Sequence, residues 1–235
     1  MTQSKITNKK KRLVITGSEG LIGSHLVSYF KGNYEVLSLD LKLGHDFTDP
    51  IFVEKWFREN HSLYGIIICH AHNPIAAADA TKIEPVDVPL EELRDYLEVN
   101  TVSAFNVCRH FIKNNKTGVI INISSLYGSV SPKHTIYTDF AKPIGYSISK
   151  AGVVIMSKYL ATYYAPDIRV NTVVLGGVLG RVYDQGFVNK YSAHTPMKRL
   201  MNLDEVPPVF DFLLNEKSTY VTGAEFYVDG GWTAW

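Results

Sequence analysis

At 235 residues the chain can bury one substantial core, and 46% hydrophobic with 20% charged residues is a globular composition rather than a disordered or fibrous one. Its 24 basic and 23 acidic side chains nearly cancel, which removes any bulk-charge argument for a nucleic-acid or anionic-membrane partner. Two cysteines without a CxxC spacing exclude a disulfide scaffold and suit a reduced, cytoplasmic setting, and no apolar run reaches membrane length.

The basic run over 9–12 leads directly into an apolar strand, Leu13-Val14-Ile15-Thr16, and reads as a solvated edge. A glycine-rich turn follows, then a helical period over 21–30 and a second strand over 35–39. Pro50 suits the first turn of a helix over 50–59, and 65–69 is a buried strand. The segment 90–115 is mainly helical, 118–123 returns to strand, 143–164 is a helix and 168–175 a strand. A shorter helix over 204–214 and a strand over 224–228 complete the chain. The alternation predicts an α/β, Rossmann-like doubly wound sheet, predominantly parallel, of about seven strands with helices on both faces. One domain spans 1–235, with substrate loops over 126–143 and 176–202 at the carboxyl ends of the strands.

In Thr16-Gly17-Ser18-Glu19-Gly20-Leu21-Ile22-Gly23, three glycines recur every third residue between a strand and a helix. Gly17 can make the turn, Gly20 lets backbone approach a phosphate, and Gly23 permits close helix packing, so the helix start faces a pyrophosphate. The context points to a dinucleotide; without it the spacing would be a simple turn. Asp40 lies 23 residues after Gly17, where a carboxylate accepts from both ribose hydroxyls and repels a 2′-phosphate. That favours NAD over NADP, although Lys42 is nearby. Asp46 and Phe47, in DFTD, either border the adenine or form a local turn.

Tyr146 and Lys150 stand four apart on the helix over 143–164 and share one face. A lysine ammonium and an oxidised nicotinamide both favour phenolate, so Tyr146 can exchange a proton with a substrate hydroxyl while hydride moves between carbon and cofactor. On these residues the chain resembles the short-chain dehydrogenase/reductase family, over nearly its whole length from Lys11 through Gly231.

The resemblance implies an NAD(P)-dependent enzyme interconverting a secondary alcohol and a ketone. Tyr146 matches its acid/base, Lys150 the residue that tunes Tyr146 and binds cofactor ribose, and Asn100, in EVNTVSAFNV, the support of a water relay. Ser125 in INISSLYG matches the serine that orients the substrate oxygen, with Ser124 its competitor. Gly176, Gly177 and Val178 lie where the family places its nicotinamide-side turn, with Gly-Gly replacing the familiar Pro-Gly. The 21-residue separation of Ser125 and Tyr146 and the YGSVSPKHTIY segment are similar to a bacterial subgroup linked to flagellin modification and nonulosonate or nucleotide-sugar synthesis. That implies a polar small-molecule substrate: a sugar, sugar acid or nucleotide-sugar. The family also implies a homodimer or homotetramer.

Tyr127, Arg181 and Gln185 are candidate substrate contacts, and Lys190, Lys198 and Arg199 add positive charge that would attract phosphate or carboxylate. Asn189 and His194 can recognise hydroxyls or belong to an ordinary polar lid. Two other readings stay open: a reductase of another small carbonyl, and a non-catalytic NAD-binding regulatory or interaction protein. Ile68-Cys69-His70-Ala71-His72-Asn73-Pro74 looks metal-like at first. No carboxylate completes a ligand set, so no metal is assigned. The segment aligns with the family's NNAG and reads as cofactor-site wall, Ala71 keeping a small residue beside the cofactor, with packing favoured over a proton role for the histidines.

Overall fold

The computed structural model describes residues 9–73, 83–137, 140–180 and 183–235. Six strands, β1 (Arg12–Thr16), β2 (Glu35–Leu39), β3 (Gly65–Ile68), β4 (Gly118–Ser125), β5 (Ile168–Leu175) and β6 (Glu225–Val228), form one parallel sheet in the order β2-β1-β3-β4-β5-β6. The expectation was about seven; among the described residues the six apolar runs read from the sequence are the six strands that form. Runs such as Gly65-Ile66-Ile67-Ile68 are apolar on both faces because helices cover both sides of a parallel sheet.

Alternation along the strands separates two layers. Val14, Ile66, Ile120 and Val170 face a core with α2 (Pro50–Glu59), α4 (Ser103–Asn114) and α5 (Ile144–Tyr164). Leu13, Ile15, Ile67 and Ile121 face the opposite core with α1 (Leu21–Phe30) and α7 (Pro207–Leu214). The α2 helix starts where the sequence signals it: Pro50 occupies its first turn and the Asp49 carboxylate accepts from Ile51 N–H at 2.9 Å.

Two elements depart from the expectation. The helix over 90–115 is interrupted: α3 (Leu90–Leu97) and α4 are joined by a π-helical turn at Glu98–Val102. The 176–202 loop contains a further helix, α6 (Gln185–His194), whose first turn is capped by Asp184, its two carboxylate oxygens accepting from Gly186 and Phe187 N–H at 2.8 Å each. Phe187 and Tyr191, one turn apart, anchor it inward, a signal outweighed in the sequence by the polar residues around them.

Strand order reverses at β1, with β2 on one side and β3 on the other, so the carboxyl ends of these strands splay into a crevice.

Candidate active site

A cavity of about 1220 Å³ occupies this crevice. Its β1 end is built by the glycine turn. Gly17 sits at φ +65°, and a Cβ there would lie 2.7 Å from His70 N, so glycine is required for both conformation and approach. At Gly23 a Cβ would lie 2.0 Å from the Gly17 carbonyl oxygen, which is how closely α1 docks on the turn. Gly20 starts α1 with no side-chain cap, so the first-turn N–H groups have no side-chain acceptor at the cavity end that Gly20, Leu21, Ile22 and Gly23 line. The buried Ser18 hydroxyl has no partner, and neither it nor Glu19 lines the cavity. Glu19 instead contributes its backbone N–H, which donates to Asp40 Oδ2 at 3.0 Å.

Asp40 is buried at the end of β2, and its other oxygen accepts from Lys42 N–H at 2.9 Å. These bonds aim the carboxylate into the cavity wall. Asp46 forms a local turn with Thr48, and Phe47 is buried; both also line the cavity, so the two readings of DFTD hold together. Uncapped amides, a cradle closed by three glycines and a fixed carboxylate suit an adenine dinucleotide.

β3 ends at Ile68, one residue short of the expected 69, so the CHAH segment lies on the loop that follows it. The His70 ring stacks on Phe47, with centroids 4.4 Å apart, and bridges Thr16 Oγ1 through Nδ1 at 2.7 Å and Ser103 Oγ through Nε2 at 2.9 Å. Since Ser103 donates its own proton to Val99 O, His70 Nε2 carries the hydrogen and Thr16 donates to Nδ1. Burial first, then Lys150, depresses the His70 pKa to about 3, and the imidazole stays neutral. The His72 ring lies elsewhere, against Tyr96. No cluster of His, Cys, Asp or Glu able to hold a metal occurs among the described residues.

Asn100, within the π-helical turn, clamps the backbone of His72: Oδ1 accepts from His72 N–H at 2.6 Å and Nδ2 donates to His72 O at 3.1 Å. Nδ2 also donates to Ser149 Oγ at 2.9 Å. The side chain thereby joins the loop after β3 and the π-helical turn to α5.

At the end of β4, Ser124 and Ser125 divide. The Ser124 hydroxyl donates to Lys150 O at 2.9 Å, whereas Ser125 Oγ accepts from Tyr127 N–H at 3.2 Å and keeps its proton available. Tyr146 and Lys150 face the same cavity from α5. Lys150 is 4% exposed; its ammonium donates to Ile123 O at 2.9 Å, and burial lowers its pKa to about 8. Ala71, Gly176, Gly177 and Val178 line the cavity beside it.

Beyond Tyr146 the wall becomes aromatic. Tyr127, which the sequence proposes, accepts from the Tyr137 hydroxyl at 3.0 Å, and Phe140, Tyr183, Phe187 and Tyr191 join it. Burial pushes the Tyr127, Tyr137 and Tyr191 phenols well above their usual range, so they remain hydrogen-bond donors. Lys142 also enters here, with its ammonium 4.1 Å from the Tyr146 ring centroid.

Gln185 does not line the cavity; it is exposed in the first turn of α6 and donates to Asn189. Arg181 lies outside the described residues. The proposed cationic patch is also dispersed: Arg199 pairs with Glu205, and Lys198 donates to Ala193 O beneath Trp235. Lys142, Tyr137, Phe140 and Phe187 lie within the segments read as substrate loops, 126–143 and 176–202, but no local motif singled them out individually.

Residues 33–233 match the family model for enoyl-(acyl carrier protein) reductase. The chain is 28% identical to post-translational flagellin modification protein A of Campylobacter coli, over 84% of this chain and 78% of that one. It is 31% identical to glucose 1-dehydrogenase of Gluconobacter oxydans, over 72% and 62%. Some relatives are longer: the chain spans 43% of an uncharacterized short-chain type dehydrogenase/reductase of Sinorhizobium fredii. A crystal structure of a Leptospira borgpetersenii short chain dehydrogenase with bound NAD+ superposes with a TM-score of 0.83, at 28% identity and covering 96% and 93% of the two chains. A glycine cradle at the switch point, a serine at the end of β4 and the Tyr146/Lys150 pair on α5 thus sit in a chain matched along most of its length, and the chain belongs to the short-chain dehydrogenase/reductase family of oxidoreductases.

Proposed function

We propose that the chain interconverts a secondary alcohol and a ketone with NAD as its preferred cofactor, on a sugar, sugar acid or nucleotide-sugar. The observation that carries this is the convergence of Ser125, Tyr146 and Lys150 with the Gly17–Gly20–Gly23 cradle and Asp40 in one cavity. The α1 amides and Gly20 hold the pyrophosphate, Asp40 accepts from the adenosine ribose hydroxyls, and Lys150 binds the nicotinamide ribose. When bound, the nicotinamide supplies or accepts the hydride. Ser125 donates to the substrate oxygen and holds it in line with Tyr146, which gives or takes the proton. Lys150 keeps positive charge beside that exchange. The Asn100 side chain holds the His72 backbone, so its support of a water relay is indirect: it fixes the wall through which water reaches Lys150.

NAD+ in the Leptospira neighbour supports the cofactor class, and the buried Asp40 supports NAD over NADP. The glucose dehydrogenase and flagellin-modification relatives support a sugar-like substrate. The aromatic wall of Tyr137, Phe140 and Phe187 favours a second reading, reduction of a less polar small carbonyl. A non-catalytic NAD-binding protein would show cofactor binding without turnover. One domain over 1–235, free cysteines suited to a cytoplasmic setting and self-association complete the proposal.

Product analysis by mass across nucleotide-sugar, sugar-acid and simple-carbonyl panels, with NAD and NADP separately, tests it. Tyr146→Phe is expected to lose at least about 100-fold in kcat while still binding NAD. Full turnover in that variant would sink the assignment.

A further inference from the structure

The Tyr146 ring has a cation on its face that is not part of the Tyr146/Lys150 pair. Lys142, two residues before α5, places its ammonium 4.1 Å from the ring centroid and donates to Asn73 Oδ1 at 2.6 Å. Asn73 follows CHAH on the loop after β3, so the lysine is held from across the cavity by the segment whose backbone Asn100 clamps. An ammonium at this distance is attracted by a neutral phenol ring and far more strongly by a phenolate.

We propose that Lys142, held by Asn73, is a positioning residue for Tyr146: a second cation that favours its phenolate form and so shares the work of proton exchange with Lys150. This rests on the acid/base role of Tyr146, but its test needs no turnover. Several groups face Tyr146 among the described residues. Lys150 lies on its own helix, and Tyr96 on α3 with Glu92 behind it. Tyr127 follows β4, Tyr137 precedes α5, and His72 packs against Tyr96. The three phenols are themselves raised by burial, which leaves the lysines as the facing groups whose charge favours a tyrosinate.

The experiment is a pH titration by NMR of protein carrying tyrosine labelled with carbon-13 at Cζ, with NAD+ added. The Tyr146 signal is assigned by its loss in Tyr146→Phe. In Lys142→Met the phenol-to-phenolate midpoint is expected to rise by about one pH unit. Lys142→Arg, which keeps the charge, should hold it within a few tenths, and Asn73→Leu should raise it partway. Far-UV circular dichroism checks that each variant is folded. An unchanged midpoint in Lys142→Met overturns the proposal, as does a Tyr146 that stays phenolic up to the alkaline limit of the folded unaltered chain. No turnover on any panel, with the Lys142-dependent midpoint retained, sinks the reductase reading and leaves the lysine's effect standing. Turnover with an unmoved midpoint does the reverse.

Discussion

Asp40 is buried and His70 half-buried in the cavity wall, and their surroundings suit them to different tasks. Asp40 lines the cavity with both carboxylate oxygens accepting from backbone N–H groups, where the proposed adenosine ribose would lie. Replacing it with serine removes the acceptor pair and the repulsion of a 2′-phosphate. Asp40→Ser is therefore expected to weaken NAD binding about tenfold or more and to raise the NADP-to-NAD affinity ratio, read by fluorescence titration of the two reduced cofactors. An unchanged ratio would remove Asp40 from the ribose site. His70 is a structural wedge instead, its ring closed between Thr16, Ser103 and Phe47. An unfolded histidine protonates near its ordinary value of 6.5, whereas the buried one stays neutral down to about 3. Between these values the unfolded chain binds the extra proton, so this contribution to stability is complete above pH 6.5 and is lost as pH falls toward 3. Urea midpoints measured across that window should decline more steeply in the native chain than in His70→Asn. Parallel curves would show that His70 does not carry the acid sensitivity.

At the scale of elements, the glycine turn works through contact between α1 and the backbone it packs on. A methyl at Gly23 would collide with the Gly17 carbonyl, and neither partner is a flexible side-chain tip. Gly23→Ala should cost about 2 kcal/mol in urea denaturation and, if the α1 start holds the pyrophosphate as proposed, weaken NAD binding together with it. Loss of neither would contradict the packing. The π-helical turn at Glu98–Val102 shows the same economy: by interrupting one long helix it turns Asn100 inward to fasten His72 and Ser149. In the sequence 90–115 reads as mainly helical, and no proline or glycine marks where the regular helix is interrupted. The reason for the interruption is the tertiary hydrogen bonds it enables. Likewise α6 was masked by its polar residues, and its inward anchors Phe187 and Tyr191 acquire meaning only beside Tyr137 and Trp232.

For the whole molecule, α4 and α5 leave an apolar surface away from the sheet: Phe105, Ile155, Tyr159 and Tyr163 are all exposed, the last two stacked on one another. Scattered apolar residues are ordinary, but several on two adjacent helices suit a partner copy. Light scattering is expected to report a dimer or tetramer, and Ile155→Asp with Tyr159→Asp to lower the mass toward a monomer; a monomer in the unaltered chain would refute self-association. The alternation of apolar runs with helical periods determined the parallel sheet, because strands covered on both faces must be apolar throughout. Short spacings determined Gly17, Gly20, Gly23, Tyr146 and Lys150, since three or four residues along a turn or helix fix which groups share a face. Asp40 and Ser125 were legible as candidates because one follows a strand and the other ends one. Only the tertiary structure decided that Ser124 is spent on Lys150, that His70 and His72 part company, that Gln185 points away, and that Lys142 meets Tyr146. Those outcomes depend on which distant loops arrive at the cavity, and local spacing carries no information about that.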